Sequence, residues 1–165
     1  MKILNTDIFI SPIIKKDNPV IAQVIRLVMT EFDADPKTTI LGDPTLDAMF
    51  ENYQSDRSIY FILKYKGEIA GGCGIKHLDY SNENICELQR MFLKKSARGL
   101  GLGKILIKLC LEKAREFKYE KIYLETLSQM KVAIQLYEET GFKKINQAIG
   151  QTGHTGCDVQ MIMLL

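Results

Sequence analysis

Cysteine and histidine are scarce in this sequence, and long apolar runs are missing. Four cysteines stand at Cys73, Cys86, Cys110 and Cys157 without a C-x-x-C pair, and the two histidines, His77 and His154, have no H-x-x-x-H neighbour. Zinc needs three or four such ligands gathered together, so no metal site is expected. The cysteine spacing suggests no disulfide framework, which points to a reducing compartment. Every uncharged apolar stretch falls well short of the ~20 residues that span a bilayer, and the N-terminus lacks a signal-peptide core. A cytoplasmic location is therefore expected. Charge of one sign is also missing: 22 basic and 20 acidic side chains are intermixed and leave a net charge of +2. That excludes a basic patch for nucleic acid and a charged face for a membrane.

Apolar content, by contrast, is ample. With 46% hydrophobic and 25% charged residues, the 165-residue chain has the composition of a soluble globular protein. A chain of this length buries roughly 70% of its extended surface, enough for one domain, 1–165, and too little for two.

The pattern along the chain predicts alternating element types. Residues 7–14 are β-branched and read as a strand. A helix is expected over 19–32, where Pro19 suits the first turn and Val20, Val24, Leu27, Val28 and Phe32 recur at helical spacing. Residues 33–44 read as a loop and 46–53 as a short helix. Runs at 58–65 and 68–78 form a hairpin through Lys66-Gly67, with Gly71, Gly72 and Gly74 marking a bulge or a close backbone approach. A strand at 85–93, a glycine-rich loop, an amphipathic helix, a strand at 121–126, a helix at 130–139 capped by Gly141, and strands at 142–145 and 157–164 complete the order. The expected fold class is a mixed sheet with helices on its faces.

Chemistry concentrates at Gly99, Gly101 and Gly103, between a strand and a helix. Glycines there free backbone N–H groups above a helix N-terminus, and phosphate is the natural guest. Arg98 and Lys104 add positive charge. A Walker loop fails on Arg98 and Ile105, where glycine and a hydroxyl residue are required, and a dinucleotide fingerprint fails on Lys104 or Leu106. What the letters do spell is Arg98-x-x-Gly101-x-Gly103 after the strand 87–93, followed downstream by Ala133-Ile-Gln-Leu136-Tyr137 and then Gly141-Phe142. This double signature resembles the GCN5-related N-acetyltransferase superfamily.

The resemblance implies that superfamily's acyl-CoA fold, a central, mostly antiparallel mixed sheet flanked by helices, and acetyl transfer from acetyl-CoA to an amine. Met91, Phe92 and Leu93 would pair with the pantetheine arm. The loop Arg98, Gly99, Leu100, Gly101, Leu102, Gly103 and Lys104 would wrap the pyrophosphate. Tyr137 matches the tyrosine that protonates the departing thiolate. Glu87 stands eleven residues before Arg98, the position of the general base in the histone-acetylating branch, with Gln89 or a water as alternatives for that role. Met130 stands where many members have Asn, so one coenzyme contact is expected to be missing.

Other residues carry weaker readings. Cys86 and Cys110 read as buried apolar residues. His154, in the 153–157 run, reads as a loop histidine or as lining of the acceptor pocket. Glu31, Asp33 and Asp35 read as a solvated helix end or as an attractor for a cationic acceptor. The acceptor itself, a small amine or a peptide amine, is not written in the sequence. A silent acyl-CoA sensor of the same fold is the alternative function, and the chain is expected to act alone or as a homodimer.

Overall fold

A computed structural model describes residues 2–5, 7–81, 83–153 and 155–165, with residues 2–5 described by their backbone alone. The strands are β1 (Lys2–Asn5), β2 (Ile8–Pro12), β3 (Ile59–Tyr65), β4 (Glu68–His77), β5 (Ile85–Leu93), β6 (Lys121–Thr126), β7 (Lys143–Ile145) and β8 (Val159–Leu164), and the helices are α1 (Asn18–Thr30), α2 (Met49–Asn52), α3 (Leu102–Glu116) and α4 (Lys131–Thr140). The eight strands form one sheet in the order β1-β2-β3-β4-β5-β6-β8-β7. Among the described residues, only β5 and β6 run parallel. A parallel pair needs a long crossover, which α3 supplies.

Period-two alternation sorts side chains onto two faces. On β3, Phe61 and Leu63 join an apolar cluster with Leu102, Leu106 and Cys110 of α3, while Tyr60 and Ile62 join a second with Ile21 and Ile25 of α1. The β3–β4 turn falls on Lys66 and Gly67, whose φ values of 52° and 82° suit the right-handed twist of a tight hairpin. The fold adds β1 to the expected order, at the N-terminal edge.

One amphipathic assignment needs correction. In α1 the buried face is Ile21, Ala22, Val24, Ile25, Val28 and Met29, whereas Val20 and Leu27 are 40% and 53% exposed. Val20 and Leu27 share the outer face with Gln23, Arg26 and Thr30, so apolar spacing alone does not choose the inner stripe. Buried Asn18 chooses it: the Nδ2 donates to Glu51 at 2.7 Å and the Oδ1 accepts from the Phe50 N–H at 2.7 Å, locking the start of α1 to α2.

The glycines of β4 have a specific reason. A Cβ on Gly72 would lie 2.5 Å from the Tyr60 ring, and one on Gly74 would lie 2.6 Å from it. Tyr60 of β3 therefore lies flat across a strand without side chains, and its hydroxyl donates to the Arg90 carbonyl on β5 at 2.9 Å. It touches β5 where the β4–β5 register shifts between Gly72 and Gly74. Arg90 has φ of 54°, so β5 bulges at this point and turns its edge.

Candidate active site

The glycine loop opens directly into α3. Gly99 and Gly101 have φ of 73° and 72°, a region costly for side chains, and Gly101 is the N-cap. Gly103 serves differently. A Cβ there would stand 3.0 Å from Leu136 and 3.1 Å from Met91, so its absence lets α3 close on α4 and β5. Among the described residues, the N–H groups of 99–104 donate to no carbonyl outside the helix, and the first N–H groups of a helix have no partner within it. They form an anion cradle reinforced by the helix dipole.

Arg98 braces this loop. Its Nε donates to the Leu93 carbonyl at 2.7 Å and its Nη1 to Glu31 at 2.8 Å, while its buried Nη2 has no hydrogen-bond partner among the described residues. Glu31 is thereby tied to the loop rather than to an acceptor. A cavity of about 440 Å³ lies above, lined by Met91, Phe92, Leu93, Arg98, Gly99, Gly101, Leu102, Gly103 and Lys104 with Met130, Leu136 and Tyr137 of the opposite wall. Leu100 is 49% exposed and stands outside this lining. The residues fit a coenzyme: unspent backbone donors and an orphaned guanidinium nitrogen suit a pyrophosphate, and the open edge of β5 suits an extended amide-bearing arm.

That edge is open because β5 and β6 part. Their pairing runs Ile85 with Lys121, Cys86 with Ile122 and Glu87 with Tyr123, then stops, although both strands continue. In the resulting gap a second cavity of about 70 Å³ shares Met91, Phe92, Met130 and Tyr137 with the larger one. Glu87 lines it. Though only 6% exposed, its carboxylate accepts from Gln89 Nε2 at 2.5 Å, and Gln89 Oε1 accepts from the Tyr53 hydroxyl at 3.0 Å. Burial pushes the Tyr53 hydroxyl well above its usual range, so it stays a donor.

Tyr137 enters the gap from the other face. Its ring packs edge-on against Phe142 at 5.9 Å and is 6% exposed. Burial, with Cys73 and Cys110 nearby, pushes its ionisation far above the ordinary tyrosine value. Among the described residues its hydroxyl makes no hydrogen bond, which leaves the proton available to a guest. Met130 makes no side-chain capping hydrogen bond to α4, its sulfur accepting instead from the Thr126 hydroxyl at 3.7 Å, so the first turn of that helix lacks the polar cap that an Asn offers.

Other anticipated residues do not converge. Asp35 accepts from the Lys37 N–H at 2.9 Å within its own turn, and neither Asp33 nor Asp35 lines a cavity. Cys86 and Cys110 are buried, and burial raises both thiols well above their usual range. His154 lies outside the described residues. Two cavity residues carried no sequence signal. Glu125 of β6 lines the smaller cavity, accepting from the Tyr123 hydroxyl at 2.6 Å and from Thr152 at 2.5 Å. Arg90 lines it too, with its guanidinium turned to Asp43 at 2.6 Å, Thr45 at 2.5 Å and the Met49 sulfur at 2.8 Å. Apart from Tyr123 with Glu125, each pairing spans tens of residues, beyond the reach of local spacing.

A phosphate cradle at a helix start, opening through a parted parallel strand pair onto an acid-lined pocket, defines an acyl-coenzyme A transferase. Residues 26–142 match the model of the acetyltransferase (GNAT) family. The chain is 42% identical over 158 residues to the uncharacterized N-acetyltransferase YjgM of Escherichia coli K12, covering 92% of this chain and 94% of that protein. In fold it is similar to an acetyltransferase of the GNAT family from Staphylococcus aureus, with a TM-score of 0.82 and 21% identity over 95% of this chain and 98% of that one. It is also similar to YncA of Salmonella typhimurium, solved with its cofactor acetyl-CoA, with a TM-score of 0.72 and 18% identity over 96% of this chain and 94% of the other. This chain belongs to the GNAT family of acetyltransferases and is an acyltransferase.

Proposed function

We propose that the chain, acting as a single domain, transfers the acetyl group of acetyl-CoA to a primary amine by direct attack of the amine on the thioester. The observation that carries this reading is the junction of the two cavities at Tyr137, with Glu87 in the smaller one. Coenzyme and acceptor then approach the same gap from its two openings, and no enzyme nucleophile is required. The thiol that lines the smaller cavity, Cys157, is pushed up to about 12, chiefly by burial, and burial raises Cys86 and Cys110 as well.

In the proposed sequence the loop N–H groups hold the pyrophosphate and the edge of β5 aligns the pantetheine arm. Glu87, oriented by Gln89, takes a proton from the acceptor ammonium, directly or through water. The nitrogen lone pair forms the new bond to the carbonyl carbon, the carbon–sulfur bond breaks, and the surplus proton left on the nitrogen passes to solvent. Tyr137 gives its proton to the sulfur. Its raised ionisation suits a donor that must stay protonated at neutral pH.

The test is thiol release from acetyl-CoA across a panel of primary amines. Amine-dependent release of coenzyme A is the expected result. Tight binding of acetyl-CoA without release for any amine would overturn the reading in favour of a sensor.

A further inference from the structure

We infer that the acceptor is a compact primary amine with no carboxylate beside its reacting nitrogen, and that Glu125 enforces this selection. The inference rests on the transfer reading above and deepens it to a substrate class: small alkyl amines, diamines, and the amines of amidated or esterified amino acids.

Charge in the smaller cavity decides the class. Its charged lining residues are Glu87, Glu125 and Arg90. The Arg90 side chain is only 7% exposed, and its two terminal nitrogens donate to Asp43, Thr45 and Met49, with the Asp43 carboxylate as its ion-pair partner. Among the described lining residues no other cation stands ready to receive an acceptor's carboxylate. A carboxylate desolvated without a partner is costly, and beside Glu125 the cost rises further.

Glu125 sharpens the point because its hydrogen-bond partners among the described residues are neutral hydroxyls. The Tyr123 and Thr152 hydroxyls fix the two carboxylate oxygens in place, and no Lys or Arg of the described residues reaches it. The carboxylate is held by hydrogen bonds, with no described cation paired to it. The neighbouring Cys157 thiol responds to the same field: burial first, then Glu125 and Glu87, push it up to about 12. Around these acids the walls are Met29, Ile40, Leu127 and Met130, which suit a short alkyl frame. The space of about 70 Å³ suits a small one.

The experiment compares matched acceptors that differ only in this group: alanine against alaninamide, and glycine against glycinamide, with rates corrected to the free-amine fraction. With saturating acetyl-CoA, the amides should show kcat/KM roughly tenfold or more above the free acids. In Glu125→Gln that preference should shrink several-fold while acetyl-CoA binding stays unchanged. Equal turnover of acid and amide by the parent overturns the inference with no variant needed, and leaves the transfer reading standing. A preference untouched in a folded Glu125→Gln overturns the role of Glu125. Failure of every amine to release thiol, with acetyl-CoA still bound, overturns the transfer reading itself and this inference with it.

Discussion

The coenzyme half and the acceptor half of the gap are built from different materials. The first is mostly backbone: N–H groups above α3, the unpaired edge of β5, and glycines that clear the way. The second is mostly side chains brought from distant places, with Glu87 on β5, Glu125 on β6, and Thr39 and Ile40 before α2. Backbone geometry depends on a few glycines at fixed spacing, so it tolerates change around it. Side-chain pockets depend on long-range pairings such as Arg90 with Asp43, so they vary freely from one acceptor to another. The difference predicts that the halves can be damaged separately.

The largest effect belongs to the coenzyme half. Gly101 has φ of 72° and nothing within 4 Å of a built Cβ, so a Glu there strains the backbone but meets no atom at its Cβ, and it brings a negative charge to the anion cradle. Gly101→Glu should lower acetyl-CoA affinity by roughly a hundredfold or more, since it replaces anion attraction with repulsion. Calorimetry on protein shown to be folded reads this directly. Unchanged affinity would mean that the phosphates lie elsewhere.

Tyr137 comes next, at the junction of the halves. Tyr137→Phe keeps the ring against Phe142 and removes only the hydroxyl, so acetyl-CoA affinity should hold while kcat falls by roughly ten- to a thousandfold. Because burial raises the ionisation of Tyr137, the acid form persists into the alkaline range. The parent should therefore show no falling limb from this residue at pH 10 or below. An intact kcat in Tyr137→Phe would return the residue to packing alone.

Glu87 tests the acceptor side. Glu87→Gln should lower turnover by roughly ten- to a hundredfold at neutral pH and by less as pH rises, because the acceptor then arrives already as free amine. The sign matters: the deficit must shrink upward in pH. A pH–rate profile that keeps its shape in the variant would move the base to water or to Gln89.

The same contrast explains what was legible in the sequence. Strands β5 and β6 were bounded correctly from β-branched runs, and Gly99, Gly101 and Gly103 announced the cradle, because glycine placement and periodicity are local signals. The resemblance supplied Tyr137 and Glu87, which the structure brings to one gap. Hidden were the inner face of α1, decided by Asn18 reaching Phe50 and Glu51, and the strand β1, a four-residue edge with little pattern. Glu125 was hidden too, since its neighbours in sequence look like any strand and its partner Thr152 arrives from another loop.

The smallest effect separates the bulge in β5 from the tether that grips it. Arg90 holds φ of 54°, a cost of about 1–2 kcal/mol for a residue with a Cβ. Its guanidinium ties β5 to Asp43 and Thr45, in the segment leading from Ile40 into α2, and so fixes one wall of the acceptor cavity. Arg90→Gly relaxes the backbone and cuts the tether, whereas Arg90→Met cuts the tether and keeps the strain. If the tether positions the wall, both variants should raise the acceptor KM by several-fold and leave acetyl-CoA affinity within about twofold, because Arg90 lines only the smaller cavity. Arg90→Gly should then be the more stable of the two by about 1 kcal/mol in denaturant unfolding. A raised KM in Arg90→Gly alone would assign the effect to the bulge. Loss of acetyl-CoA binding in both would show that the two halves share one frame through β5, and would break the comparison at its root.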